Sequence, residues 1–379
     1  MDIDTFFVSC QRLIDPGLIG RPVIVGGKSE RGVVASCSYE ARHFGVHSAM
    51  PMKLALRLCP DAIVVKGDME MYSKKSGEVT QIIAEEAPVF EKASIDEFYL
   101  DISGMDRFFG CYKWTSELRQ KIVSHTGLPI SFGLSPTKTV SKIATNEAKP
   151  QGQLQIHFEE VRPFLDPLSI SKIPMIGSAT YKTLSRIGIR TIRTLAAIPE
   201  EVLVRLLGKN GVALFKKANG IDSAPVVQYS ERKSISTERT FMRDSMDIDR
   251  IKALLVQMIE NLCYQLRSEQ RVASVIAVKI RYTNFDTHTQ QARIPYTSCD
   301  HLLIQRAMEL FDKVYERRMM IRLVGVRLSG LVQGDYQINL FDEVTVINLY
   351  QAMDRVRNRF GKYAIQRASS IGALTRDNT

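Results

Sequence analysis

Met1-Asp-Ile-Asp-Thr-Phe-Phe7 opens the chain, and Ala93-Ser-Ile-Asp-Glu-Phe-Tyr-Leu-Asp-Ile102 is its counterpart farther along. Each sets acids inside an apolar, β-prone run, where an unpaired buried charge is strongly unfavourable. Two such strand-borne clusters, Asp2 with Asp4 and Asp96 with Glu97, are best explained by divalent cations shared between them. Hard cations such as Mg²⁺ take oxygen ligands, leave positions open for phosphate, and in pairs clamp an in-line displacement at phosphorus. The chemistry implied is phosphoryl or nucleotidyl transfer. On an extended chain, period two places Asp2 and Asp4 on one face, with Ile3 and Thr5 on the other. Asp96 and Glu97 are adjacent and would diverge on a regular strand. Service to one site therefore requires a turn there, with Phe98–Ile102 as the outgoing strand. Taken alone, Ser-Ile-Asp-Glu also reads as a solvated hairpin tip; the first cluster argues against that.

The 379 residues carry 51 Lys and Arg against 41 Asp and Glu, a net charge of +10. A field of that sign favours a polyanionic partner and salt-sensitive association, although a basic protein without one has the same balance. Cys10, Cys37, Cys59, Cys111, Cys263 and Cys299 form no C-x-x-C pair and no zinc-ligand spacing with His. They read as thiols of a reducing compartment. No apolar run reaches membrane-spanning length and no leader pattern opens the chain, so a cytoplasmic location is expected.

From Met1 to about Leu165 the pattern is mixed α/β, with strands expected at 22–26, 33–37, 62–65, 89–102 and 129–134. Helical periods fall at 69–87 and 112–125. From 166 to 226 short helices follow. Ile-Pro-Met-Ile-Gly (173–177) and Leu-Leu-Gly-Lys-Asn-Gly (206–211) each precede or open one. Hydrophobic–Gly–hydrophobic turns between short helices aim backbone N–H groups at a phosphate oxygen, though Gly is also the commonest helix stop. Residues 226–235 are polar and aperiodic, as a tether would be. Beyond them, strands at 273–282, 289–296 and 322–330 alternate with helices at 248–267 and 300–318, a β–α–β–β–α–β order. Residues 231–333 hold 17 Lys and Arg against 12 Asp and Glu, so this module is basic. After 333 comes a tail with one helical segment, 345–359.

Tyr39 and Arg42 stand three apart on an incipient helix and share a face, a phenol beside a planar guanidinium fork suited to phosphate. Lys149 precedes Pro150 at a helix C-terminus, where the dipole alone favours a cation. A third contact to a triphosphate is the functional reading. Together with the acids, Ser-Tyr-Glu-Ala-Arg-x-Phe-Gly-Val-x-Ser-Ala-Met-Pro (38–51) and Ser-x-x-Lys-x-x-Ser-Lys-Ile-Ala-x-x-x-Ala-Lys-Pro (135–150) complete four collinear motifs. Over roughly residues 1–335 they resemble Y-family, lesion-bypass DNA polymerases, and the Tyr-Glu-Ala-Arg and Ser-Ala-Met-Pro spellings point to the DinB (DNA polymerase IV) branch.

That resemblance implies an α+β multidomain fold. A palm (1–10 and 67–165) carries the acids, and small fingers (11–66) cover the nucleotide. A helical thumb (166–227) holds helix–hairpin–helix turns. A linker (228–236) leads to a C-terminal α+β little finger (237–332) and a tail (333–379). It implies two Mg²⁺ ions held by Asp2, Asp96, Glu97 and the Ile3 carbonyl, with Asp2, Asp96 and Glu97 catalytic; Asp4 is not usually a ligand. Phe7 falls at the steric-gate position that excludes a 2′-hydroxyl; on residue type alone it is a core Phe on a strand. Ser36, Tyr39, Arg42 and Lys149 would complete nucleotide binding. The small Gly45, Ser48 and Ala49 imply a loose enclosure of the nascent pair, hence low fidelity, and no further acidic motif suggests proofreading. Implied partners are primer–template DNA, a dNTP and the bacterial sliding clamp, which Gln337, Leu340 and Phe341 of Gln-Ile-Asn-Leu-Phe would engage; a monomer is expected.

Three departures accompany the match. Asp2 follows Met1 directly, which implies either a translation start upstream or a weakened metal site. Met175 stands where the family usually has Gly, and the tail is long. The alternatives are a UmuC-like subunit that needs an accessory protein, a non-catalytic clamp-recruited DNA-binding protein, and a palm-like nucleotide cyclase. A cyclase would lack the thumb turns and the basic C-terminal module.

Overall fold

The computed structural model describes the chain except residues 28, 30, 106–109, 229–230, 317, 335–343, 362–363 and 371–379. It divides into two units, Met1–Ser230 and Glu231–Thr379. The first unit opens with β1 (Asp2–Ile3), α1 (Phe6–Ile14), β2 (Val23–Gly26), β3 (Val34–Cys37), α2 (Tyr39–His43), α3 (Met52–Leu58) and β4 (Ile63–Val65). It continues through α4 (Met69–Glu86), β5 (Val89–Lys92), β6 (Phe98–Asp101), α5 (Cys111–Thr126), β7 (Ile130–Leu134), α6 (Lys138–Ala148) and β8 (Gln153–Gln155). Five short helices end it: α7 (Val161–Leu165), α8 (Ser178–Arg186), α9 (Ile192–Ala196), α10 (Glu200–Leu207) and α11 (Lys209–Ala218).

The run 89–102 folds back on itself, with β5 antiparallel to β6 from Val89↔Asp101 to Lys92↔Phe98. This is the turn that adjacent Asp96 and Glu97 require. Strand β1 is short but held on both sides. Asp2 and Ile3 pair with Ser131 and Ile130 of β7, and Asp2 also forms a bridge with Glu97. Ile3 N–H donates to the Asp96 carbonyl and Phe98 N–H to the Met1 carbonyl, each at 3.0 Å. Ile3, Phe6, Tyr72, Val79, Ile83, Phe98, Ile122 and Ile130 bury together, so α1, α4 and α5 pack beside these strands. This apolar packing gives the acid-bearing strands a rigid base.

Alternation fails after Ile3. Thr5 adopts a left-handed conformation (φ 42°) and α1 begins at Phe6, so Asp4 does not continue the strand face. Asp4 instead accepts from Ser131 Oγ at 3.0 and 2.9 Å and from Gln151 N–H at 2.6 Å. Phe7 likewise lies on a helix rather than on a strand. Helix α6 runs against β7 at Gly133, where a Cβ would come within 2.5 Å of Thr145 N and closer still to the Ser141 carbonyl. Only glycine permits that approach. Helix α6 also buries Val140 and Ile143 with Ile170, Leu184, Ile192, Leu203 and Leu214 of the helical segment. Strands β3, β2 and β4 form a separate sheet with its own core of Ile24, Val34, Cys37, Ala41 and Met52.

The second unit comprises β9 (Ser234–Ser245), α12 (Ile248–Ser268), β10 (Arg271–Tyr282), β11 (Thr287–Thr297), α13 (Asp300–Val314), β12 (Ile321–Ser329), β13 (Val332–Gln333) and α14 (Val344–Phe360). Its sheet order is β11-β10-β12-β9, with β13 pairing β10. Helices α12 and α13 bury Leu255, Ile259, Leu303 and Phe311 against Ile276, Val278, Ile280 and Val324. The tether is shorter than expected, because Ser234 and Ile235 already pair with Ser329 and Leu328. A second difference concerns the tail: α14 is anchored to this unit. Arg267 of α12 bonds Asp354 of α14 at 2.6 and 2.9 Å and Asp300 of α13 at 2.6 Å. Tyr350 Oη accepts from His301 N–H at 3.1 Å. Gln337, Leu340 and Phe341 lie outside the described residues. All six cysteines are free thiols. Among the described residues no helix is long and apolar enough to cross a membrane.

Candidate active site

Strand β1, the hairpin turn before β6, helix α1, strand β3 and helix α6 surround one recess of about 370 Å³. Its walls include Asp2, Ile3, Phe7, Ser36, Arg42, Asp96, Glu97 and Lys149, eight of the residues singled out in the sequence. Ser48, Lys142 and Asn146 also line it. Asp2 is buried, and Asp96 and Glu97 are half-buried. The bridge sets Asp2 directly opposite Glu97, where two carboxylates repel unless a cation intervenes.

That cation is Lys142. Its Nζ donates to Asp2 Oδ2 at 2.8 Å and also to Glu97 Oε1. Lys149 Nζ donates to Asp2 Oδ1. Burial alone would raise the Asp2 carboxyl, but Lys149 and Lys142 outweigh it and hold it below the usual carboxylate range. Asp96 is arranged differently: Ser94 Oγ donates to its Oδ1 at 2.6 Å, fixing the turn. Among the described residues no three acids, His or Cys form a ready-made metal cluster. The donor set nonetheless suits a hard cation, being entirely oxygen, and one ammonium group already occupies the position between Asp2 and Glu97.

Lys142 was not singled out in the sequence. It lies seven residues before Lys149, two helical turns along one face of α6, and that spacing is the signal that could have found it. Arg42 of α2 lines the recess and stacks over the Tyr39 ring, 5.0 Å from its centroid. Ser38 caps α2 by accepting from Ala41 N–H at 3.3 Å. Tyr39 departs from the expectation that both side chains meet the ligand. It is not part of the recess wall, and its buried hydroxyl makes no hydrogen bond. Burial pushes the phenol up, and Asp4 pushes it further. Phe7 forms part of the wall and stacks on Tyr72, with ring centroids 4.3 Å apart and planes 14° apart. Asp4 sits behind, tying β7 to the chain that follows Lys149. A larger recess of about 710 Å³ lies between β6, β7 and residues 222–226. Its Lys138 is engaged by Glu91 at 2.7 Å and its Asp222 by Thr139 Oγ1 at 2.6 Å.

The impB/mucB/samB family model matches residues 1–146, and the model of that family's C-terminal domain matches residues 232–340. A DNA polymerase IV of Dehalococcoides mccartyi is 36% identical over 371 residues, covering 97% of this chain and 95% of that protein. The chain belongs to the DNA polymerase IV branch of the Y family. It is a DNA-directed DNA polymerase of the translesion type. Among solved Y-family structures, the polymerase chimera Dbh-Dpo4(243-245)-Dbh superposes with a TM-score of 0.76 at 27% identity, covering 87% of this chain and 98% of that one. The insertion ternary complex of Dbh DNA polymerase gives 0.62 at 26% identity, with the same coverage. The palm, fingers, thumb and little finger of the Y family are the architecture of this chain, and divalent-metal dependence goes with membership.

Proposed function

We propose that the chain extends a primer on a DNA template by nucleotidyl transfer from a dNTP inside the acid-lined recess. The observation that carries this is the gathering of Asp2, Asp96 and Glu97 with Arg42, Lys149 and Phe7 around one space. Asp2, Asp96, Glu97 and the Ile3 carbonyl would hold two Mg²⁺ ions, which would supply a lowered pKa for the attacking hydroxyl and charge neutralisation at phosphorus. Arg42 offers a fork to the phosphates and Lys149 a point charge. Tyr39 supports this indirectly, since its ring backs the Arg42 guanidinium. Phe7, stiffened by its stack on Tyr72, would act as a floor under the sugar and exclude a 2′-hydroxyl. Ser36 on β3 and Ser48 are small enough to leave room beside the nascent pair. Loose enclosure there fits low fidelity.

In this reading the palm is 1–10 and 67–165, the fingers 11–66 and the thumb 166–227. The link shortens to 228–233 and the little finger begins at Ser234. The sheet face away from α12 and α13 presents Lys279, Arg281, Arg293 and Arg327, a sequence-independent surface for DNA phosphates. The turn before α8 and the Gly208 junction between α10 and α11 would add backbone contacts to DNA. Gln337, Leu340 and Phe341 are proposed to engage the bacterial sliding clamp, and the enzyme to act as a cytoplasmic monomer. Primer extension by purified full-length protein with Mg²⁺ and each dNTP tests the core of this. Wild type should extend, and Asp96→Ala should lose about a thousandfold or more, in keeping with the several kcal/mol a metal contributes. No magnesium-dependent extension by the intact chain would refute it.

A further inference from the structure

The Asp2 carboxylate has no uncommitted oxygen, because Lys149 takes Oδ1 and Lys142 takes Oδ2. Lys142 then reaches across to Glu97, so one ammonium joins both members of the opposed acid pair. A cation entering between Asp2 and Glu97 meets the Lys142 ammonium already lodged there. We propose that Lys142 and Lys149 are exchangeable counter-ions of the acid pair, displaced when a divalent cation enters and then turned to the phosphates of the incoming nucleotide.

Three features make the exchange feasible. Lysine is a compact charge on a flexible stem, so it can leave by side-chain rotation alone. The two side chains are 19% and 18% exposed, which leaves each a route toward solvent. Lys142 sits midway along α6 and Lys149 just beyond its end, and the helix backbone is pinned by the close approach at Gly133, so the strands and helix need not move. The recess thus never holds two bare carboxylates face to face. A further consequence is reciprocity: cations that loosen the lysines favour phosphate binding, and phosphates that hold the lysines favour the cations. The inference rests on the metal-binding reading above.

Lysine acetylation by an N-hydroxysuccinimide ester, read by mass spectrometry on the unmodified full-length protein, tests it, with Mn²⁺ binding followed in parallel by electron paramagnetic resonance. Lys142 and Lys149 should be slow to react in EDTA, about fivefold faster in saturating Mn²⁺, and protected again on adding a dNTP. Exposed Lys53 should not change. In addition, Lys142→Gln should bind Mn²⁺ about tenfold more tightly, since the competing ammonium is gone. Its unfolding midpoint in EDTA, read from Trp114, should fall below wild type and recover with Mn²⁺. Mn²⁺ binding to wild type with no change in lysine reactivity overturns the exchange and leaves the metal site standing; so does a Lys142→Gln protein that binds no more tightly. A wild type that binds no Mn²⁺ overturns both. Should Lys142→Gln fail to fold, the labelling of the unmodified chain decides alone.

Discussion

The recess of the first unit and the contact beneath α14 in the second both set acids against bases out of bulk water, with opposite choices of base. The recess uses lysines with roughly a fifth of each side chain exposed. Beneath α14 the bases are arginines: the Arg267 side chain is 6% exposed, Asp300 0%, and Arg357 and Glu260 3% each. Arg267 grips Asp354 with two parallel bonds and Asp300 with a third nitrogen. A planar fork held at several points is a fixture, whereas a single ammonium on a long stem is a tenant. The difference separates charge used to exchange ligands from charge used to fix an element. The second cluster is imperfectly satisfied: Asp300 Oδ2 and Arg357 Nε make no hydrogen bond. Such a network gives orientation more than net stability.

Removing the fork should do most damage. Arg267→Met leaves Asp300 and Asp354 facing each other without their base and should cost about 3 kcal/mol, with faster amide exchange across α14. Unchanged exchange there would mean that apolar contacts, not the ion cluster, hold the helix. Converting the tenant into a fixture comes next. Lys142→Arg should bind both Asp2 and Glu97 too firmly to be displaced, weakening Mn²⁺ binding and primer extension by about tenfold, or about 1.4 kcal/mol. Equal or better extension by this variant would erase the distinction between the two clusters.

The smallest effect is acid sensitivity. Asp2 titrates below its ordinary value, so its contribution is complete above the unfolded carboxylate pKa and is lost as pH falls through the lowered folded value. Glu260 is the reverse: burial, then Asp300, raise it, so its ionisation costs stability above the raised value and that cost vanishes on acidification. Trp114 is the chain's single tryptophan and lies in the first unit, so its fluorescence reports that unit alone. Between about pH 5 and pH 3 the fluorescence midpoint should fall more than the midpoint of far-ultraviolet circular dichroism, which also reports the second unit. Parallel falls would show that the two carboxyls do not set the difference.

What could be read from the sequence was local. The hairpin at 93–97 followed from two adjacent acids that one site must share, and the helices from their periods. Asp4 escaped because nothing in Asp-Ile-Asp-Thr announces the left-handed Thr5 that ends β1. The Tyr39 phenol is pushed up by burial and then by the Asp4 charge, which comes from thirty-five positions away in the chain. Lys142 stands inside the 135–150 motif, but its partners become neighbours only when β1 enters between β6 and β7. Helix α14 was visible as a period, but its attachment rests on Arg267 and Asp300, which look like ordinary surface charges in the linear chain. Met175 is the converse case. Its departure from glycine was plain, and its φ of 85° shows why glycine suits the position.

Gly133 sets the clearance between β7 and α6 by what it lacks. A single methyl group there would wedge the helix outward and carry both ammonium groups away from carboxylates they contact at bonding distance. The polymerase's ability to neutralise its own acids therefore hangs on a hydrogen atom where β7 meets a helix, in a residue that takes no part in the chemistry.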